Sequence, residues 1–249
     1  TFYTQNEKSV LPLGTLTVEE TKAPDGYLLD GAYMQAGDST EQIKGMYLTQ
    51  ITEDGELAVL SGSNQYSVSD QVIRGGVKIQ KRDMETKDTK AQGSATLKDA
   101  AFAIISLNEN PVLVEGKLYK KNEKVKTIQA GIDGVATTSE DLLPYGKYKL
   151  EETKAPEGFE LDKGVYSVFI EKDETTYEVE NKAGVGFINT AMKGNLKIVK
   201  TSSDGKVEGF TFRVTGVNGY DRSFTTDKNG EIVIEGLRIG DYTVSEVQD

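Results

Sequence analysis

The sequence predicts an all-β chain of tandem β-sandwich modules, and three observations carry that reading. Short segments of alternating apolar and polar residues recur throughout, among them GVKIQK, AAFAII, KYKLEE, VYSVFIE, NLKIVK, FTFRVTG, EIVIEG and DYTVSEV. This is the pattern of half-buried strands, and the turn signals DGV, APEG, SSDG and DKNGE fall between them. No long stretch shows helical periodicity. The 249 residues, 37% hydrophobic and 8% aromatic, suit several modest cores better than one large one.

Composition removes several classes of function. A formal charge of -11 without a basic cluster argues against nucleic acid and against an anionic membrane surface. No apolar run approaches the length of a membrane span, and the opening TFYTQNEKSV is not a signal peptide. The chain therefore reads as an interior piece of something longer. It has no Cys and no His, which excludes a disulfide framework, a Cys or His zinc site, a Cys nucleophile and a Ser-His-Asp triad. Covalent reinforcement would have to come from other residues. No cofactor is expected.

Repeats set the boundaries. RGGVKIQKRD (74–83) matches KGNLKIVKTS (193–202), each a basic residue and glycine leading into a strand with two apolar positions and a lysine. Taken as module starts, they divide the chain into residues 1–74, a module without its first strands; 75–192, a complete module; and 193–249, a module without its last strands. A second repeat is longer: LGTLTVEETKAPDGYLLD (13–30) returns as YGKYKLEETKAPEGFELD (145–162).

Strand parity aims charged groups at the core. Tyr148, Leu150 and Glu152 share one face, as do Leu16, Val18 and Glu20, and again Tyr242, Val244 and Glu246. Val77, Ile79 and Lys81 line up likewise, and so do Leu196, Ile198 and Lys200. A charge on an apolar face is costly unless a neighbour compensates it. On the closing side of the second module, Val185, Phe187 and Asn189 alternate correctly, and so do Tyr177, Val179 and Asn181. Asn189 is preferred because INTAMKG leads directly into the next module. In the first module the same offset selects Asp70, with Asn64 as the other candidate.

Y-x-L-x-E-T-x-A-P-x-G-F/Y resembles the E-box of Gram-positive pilins and of CnaB-type (SpaA-type, prealbumin-like) surface domains, and V-x-I-x-K-x-D at 77–83 is similar to that family's first strand. The resemblance covers nearly the whole chain. It implies an inverse immunoglobulin-like sandwich, often closed by a spontaneous isopeptide bond from a first-strand Lys to a last-strand Asn, aided by the Glu. On this chain it implies Lys81, Asn189, Lys200 and Asn64 as crosslinking residues and Glu152, Glu20 and Glu246 as their catalytic partners. The residue types suit the chemistry. Burial disfavours the ammonium form of lysine and favours a protonated glutamic acid that donates to the Asn carboxamide oxygen and shuttles protons as ammonia leaves.

The blander readings are a partly exposed Glu before a Pro turn and a strand-edge Lys snorkelling outward. LPLGT (11–15) reads as a loop entering a strand, YKKN (119–122) as a charged hairpin, and DKNGE (227–231) as a turn rather than a calcium loop. The expected function is structural: a stalk segment of a cell-wall-attached Gram-positive surface protein or pilus-like adhesin, self-crosslinked, extracellular, and partnered by neighbouring domains of a longer chain. The alternative is a module that itself binds a host extracellular matrix protein or glycan, through residues 31–62. An enzyme acting on other molecules is not expected.

Overall fold

A computed structural model describes residues 4–5, 8–9, 11–29, 33–36, 39–42, 46–57 and 70–247. The described elements are strands apart from one short 3-10 turn, and none is a helix long and apolar enough to cross a membrane. The chain divides into two compact units, residues 1–74 and 75–249.

In the first unit the described strands are β1 (Thr4–Gln5), β2 (Lys8–Ser9), β3 (Gly14–Glu19), β4 (Tyr27–Leu28), β5 (Tyr33–Ala36), β6 (Ser39–Gln42), β7 (Met46–Ile51) and β8 (Gln71–Val72). They form antiparallel pairs β1–β2, β3–β7, β4–β8 and β5–β6. The face predicted to be apolar is only partly covered, since Val18 is 42% exposed.

The second unit opens with β9 (Arg74–Asp83) and continues with β10 (Ala101–Ser106), β11 (Val112–Val114), β12 (Lys117–Tyr119), β13 (Lys124–Gln129), β14 (Val135–Thr137), β15 (Leu143–Pro144), β16 (Gly146–Lys154), β17 (Val165–Ile170), β18 (Thr175–Glu178) and β19 (Phe187–Asn189). One sheet runs β13-β10-β16-β17; the other is centred on β9, flanked by β14, β15, β18 and β19. The inner faces meet over Val77, Ile79, Phe102, Ile104, Tyr148, Leu150 and Phe187, all fully buried. Period-two alternation accounts for this: along β9, Val77, Ile79, Lys81 and Asp83 are buried while the intervening residues are only partly so. The β11–β12 hairpin turns at Glu115 and Gly116, and the YKKN segment, expected as a charged hairpin, is instead the turn that leads from β12 to β13, which pairs with β10.

The edge of β9 differs from the predicted single closing strand. β18 runs parallel to its first half, Thr175 opposite Gly75, and β19 runs parallel to its second half, Asn189 opposite Asp83. Val185, expected on the closing strand, lies in the turn between them. The double glycine that opens β9 has a packing reason. A Cβ on Gly76 would sit 2.4 Å from the Ser139 carbonyl, and one on Gly75 would sit 2.9 Å from the Thr175 carbonyl and from Ile170.

A smaller sandwich follows, from β20 (Lys193–Val199), β21 (Thr211–Gly216), β22 (Tyr220–Thr225), β23 (Glu231–Arg238) and β24 (Tyr242–Glu246). β20 pairs β23, and β22-β21-β24 form the facing sheet around Phe212, Val214, Ile232, Ile234 and Leu237. It repeats details of the preceding sandwich: Tyr242 Oη donates to Arg238 O as Tyr148 Oη donates to Pro144 O. It is joined to that sandwich by charge. Arg238 donates to the fully buried Asp83 at 3.3 Å and also pairs with Glu85, which Lys193 meets at 2.8 Å.

Candidate functional site

Lys81, Glu152 and Asn189 meet inside the larger sandwich. Each arrives by strand parity on a different strand: β9, β16 and β19. Lys81 is fully buried, Glu152 is 5% exposed and Asn189 3%. Lys81 Nζ donates to Glu152 Oε1 at 2.8 Å and is in direct contact with Asn189 Oδ1. Asn189 Nδ2 donates to Glu152 Oε2 at 2.7 Å and to Glu160 O at 2.8 Å. Phe187 and Phe102 wall the lysine, their ring centroids 4.5 and 5.4 Å from Nζ. Burial pushes the Lys81 ammonium below the usual lysine range, outweighing the opposite pull of Glu152 and Asp162.

The orientation of Asn189 differs from the sequence expectation. A glutamic acid donating to the carboxamide oxygen was expected, yet the oxygen faces Lys81 and the nitrogen faces Glu152. The Glu160 carbonyl fixes this choice, because a carbonyl can only accept. The nitrogen that would leave thus touches the carboxylate that would protonate it.

The Pro-Gly turn after Glu152 explains the length of the repeated motif. Phe159 N donates to Pro156 O, Gly158 takes φ +85°, and a Cβ there would come within 2.6 Å of the Ala95 Cβ. Phe159 is buried with Leu97 and Ala191. The returning segment then lies along the outer side of the closing strand, with Glu160 N donating to Thr190 O and Met192 N to Gly158 O. It also brings Asp162 N to Glu152 Oε2 at 2.8 Å. Glu152 therefore accepts from Lys81, Asn189 and Asp162 together.

The model of the SpaA prealbumin-like fold domain matches residues 75–183 and 194–249. The chain belongs to this family. Among solved structures, the SpaA-type chain is similar to the Bacillus anthracis TIE protein (16% identity, TM-score 0.54), covering 95% of this chain and 45% of that one. Likenesses with lower TM-scores include the pilus adhesin SpaC from Lactobacillus rhamnosus GG (14%, 0.42; 98% and 39%) and the major pilin SpaD from Corynebacterium diphtheriae (16%, 0.34; 70% and 55%). The chain spans less than half the length of the TIE protein. No curated protein sequence matches it.

The other two copies of the SpaA-type constellation are partial. Lys200 Nζ meets both oxygens of Glu246 at 2.8 and 2.9 Å and lies 4.6 Å from the Phe210 ring centroid, but this pair is only half sequestered, the side chains being 20% and 38% exposed. In the first unit the repeated motif folds the same way: Tyr27 N donates to Pro24 O, and Gly26 takes φ +90°. Tyr27 pairs with Val72 as Phe159 pairs with Ala191, and Ile73 N donates to Gly26 O as Met192 N donates to Gly158 O. That register makes Asp70 the counterpart of Asn189. Burial, with the charge and hydrogen bonding of Asp70 beside it, pushes the Glu20 carboxyl up. Asn64, the residue preferred from sequence, lies outside the described residues.

Two contacts at the site escape the sequence reading, Asp162 and Glu160 O, and Asn181, there the alternative to Asn189, makes a different contact from the one considered. Asn181 Nδ2 donates to Asp162 Oδ2 and to Ile188 O, both at 2.6 Å, while its Oδ1 accepts from Ile188 N at 2.8 Å. It stands beside the site and not at Lys81. The Asp after the repeated Leu at position 161 was the available signal, being shared by both copies of the motif. Among the described residues no group of acidic side chains is arranged to hold a metal ion.

Proposed function

We propose that this chain is a structural segment of a Gram-positive surface protein or pilus-like adhesin, whose larger sandwich closes itself by an amide bond between Lys81 and Asn189. The observation that carries this reading is the buried three-way contact of an amine, a carboxyl and a carboxamide. Burial of an ion pair in an apolar core is costly and is often matched by plain hydrophobic packing. Conversion to a neutral amide removes that cost.

The steps balance without a co-reactant. Glu152 takes a proton from the Lys81 ammonium, leaving a neutral amine in contact with the carboxamide. Nζ attacks Asn189 Cγ and sheds a second proton as the Cγ–Nδ2 bond breaks; Glu152 relays both protons to the departing nitrogen, which leaves as ammonium, that is, ammonia and one proton. Nζ keeps one hydrogen in the new amide. Glu152 ends as it began, so the reaction runs once per chain. Fixing both partners on paired strands supplies the rate, since well-oriented groups reach effective molarities of about 10⁵ M or more.

Placement outside the cell, in line with neighbouring domains of a longer chain, follows from the same reading: a bond that resists reduction suits a segment under tension. Intact mass of the full chain tests it. The chain should fall short of its sequence mass by one ammonia at Lys81–Asn189, and Glu152→Ala should restore the full mass. A wild-type chain of full mass overturns the proposal.

A further inference from the structure

The edge beside β9 is interrupted between β18 and β19, and the side chain of Asn181 occupies the interruption. Its carboxamide takes both backbone groups of Ile188, accepting from N at 2.8 Å and reaching O at 2.6 Å. A side-chain amide thereby acts as a neighbouring strand would, fixing the residue immediately before Asn189. The same nitrogen donates to Asp162 Oδ2. Asp162 is fixed in turn by Tyr166 Oη at 2.7 Å and Gly164 N at 2.7 Å, while its own N–H holds Glu152 Oε2. Asn181 thus links the strand that carries the carboxamide to the segment that orients the carboxyl.

We infer that Asn181, acting with Asp162, is a positioning residue for closure: it sets the Asn189 carboxamide between Lys81 Nζ and Glu152 without touching either reacting atom. The inference rests on the proposed closure reaction. Asn189 has its own partners on β9 and at Glu160, so the strand docks without Asn181, but its register along the outer edge is then held only from Thr190 onward. Geometry is where the rate lies, for a displacement of about 1 Å is worth on the order of 10²-fold. The hydrogen bonds from Asn181, Gly164 and Tyr166, with the charge of Lys81, hold the Asp162 carboxyl below its usual range although burial works against them. Asp162 therefore stays an acceptor for Asn181 over the pH range in which closure is measured.

The test follows closure on the full chain, recovered unfolded in guanidinium and refolded by dilution. Samples are quenched at intervals for mass, with near-UV circular dichroism reporting folding in parallel. Wild type should fold and then lose ammonia. Asn181→Ala should fold at a similar rate and lose ammonia 10- to 100-fold more slowly. Equal closure rates overturn the inference and leave the closure reaction standing; a wild type that never loses ammonia overturns the reaction itself. Asn181→Asp keeps the acceptor for Ile188 N and loses the donor to Asp162 until it is protonated. Its rate relative to wild type at the same pH should recover as the pH falls through the carboxylic range, a response that general weakening of the fold does not produce. Should Asn181→Ala not fold, this ratio decides: a pH-independent ratio overturns the inference.

Discussion

Removing either end of the Lys81–Asn189 bond should cost the same large amount of stability, and removing both should cost little more. The partners are 108 residues apart. The chain-entropy relation for a loop of that size gives about 5 kcal/mol at 25 °C. Each substitution also removes the amide group that Glu152 faces in the closed form, adding roughly 1–3 kcal/mol. At about 4 °C per kcal/mol for a domain near one hundred residues, each single variant should melt roughly 20–30 °C below wild type. The double variant loses the bond only once, so the two losses should fall short of additivity by about 5 kcal/mol. Scanning calorimetry of the full chain, with hydrogen exchange in β10 and β16 assigning the transition to the larger sandwich, measures the cycle. Additive losses, or single drops of a few degrees, would refute the shared crosslink.

Three further outcomes follow from the geometry. Closure should accelerate as pH rises, with its midpoint below the ordinary lysine value of about 10.4, because burial depresses Lys81; a midpoint at or above that value in a refolding series counts against the mechanism. Burial, with the hydrogen bond to Asp162, pushes the Tyr166 phenol up to about 12, so the folded state holds this proton where the unfolded chain releases it near pH 10. Its contribution is complete below the unfolded value and should be lost between about pH 10 and 12; an ultraviolet titration in which Tyr166→Phe removes no late-titrating tyrosine contradicts this. Gly76→Ala places a Cβ against the Ser139 carbonyl and should destabilise the larger sandwich by about 1–3 kcal/mol, read as a lower denaturant midpoint; an unchanged midpoint means the neighbouring segment yields freely.

Much of the fold was legible because strands announce themselves by alternation. The parity that aimed Lys81 and Glu152 inward holds residue by residue along β9 and β16, where both neighbouring strands and the facing sheet enforce it. Parity could not tell Asn189 from Asn181, since both sit at correct alternations; long-range pairing separates them, placing one opposite Asp83 and leaving the other in the gap. Parity also overestimated the first unit, where Val18 alternates correctly yet stays 42% exposed. The choice between Asn64 and Asp70 depended on how a turn folds back; the shared Pro-Gly turn sets Asp70 in register with Asn189 through Tyr27 and Val72, while Asn64 lies outside the described residues. Asp162 was hidden because its contribution runs through a backbone N–H and a hydrogen-bond relay, neither of which leaves a pattern in composition or period.

The covalent bond between Lys81 and Asn189 is read directly by tandem mass spectrometry of a proteolytic digest of the refolded full chain. A branched peptide should appear in which the side chain of Lys81 is joined to that of Asn189, lighter than its two components by one ammonia, and it should be absent from Glu152→Ala. Recovery of the Lys81 and Asn189 peptides as separate linear species from the folded wild-type chain would contradict the account.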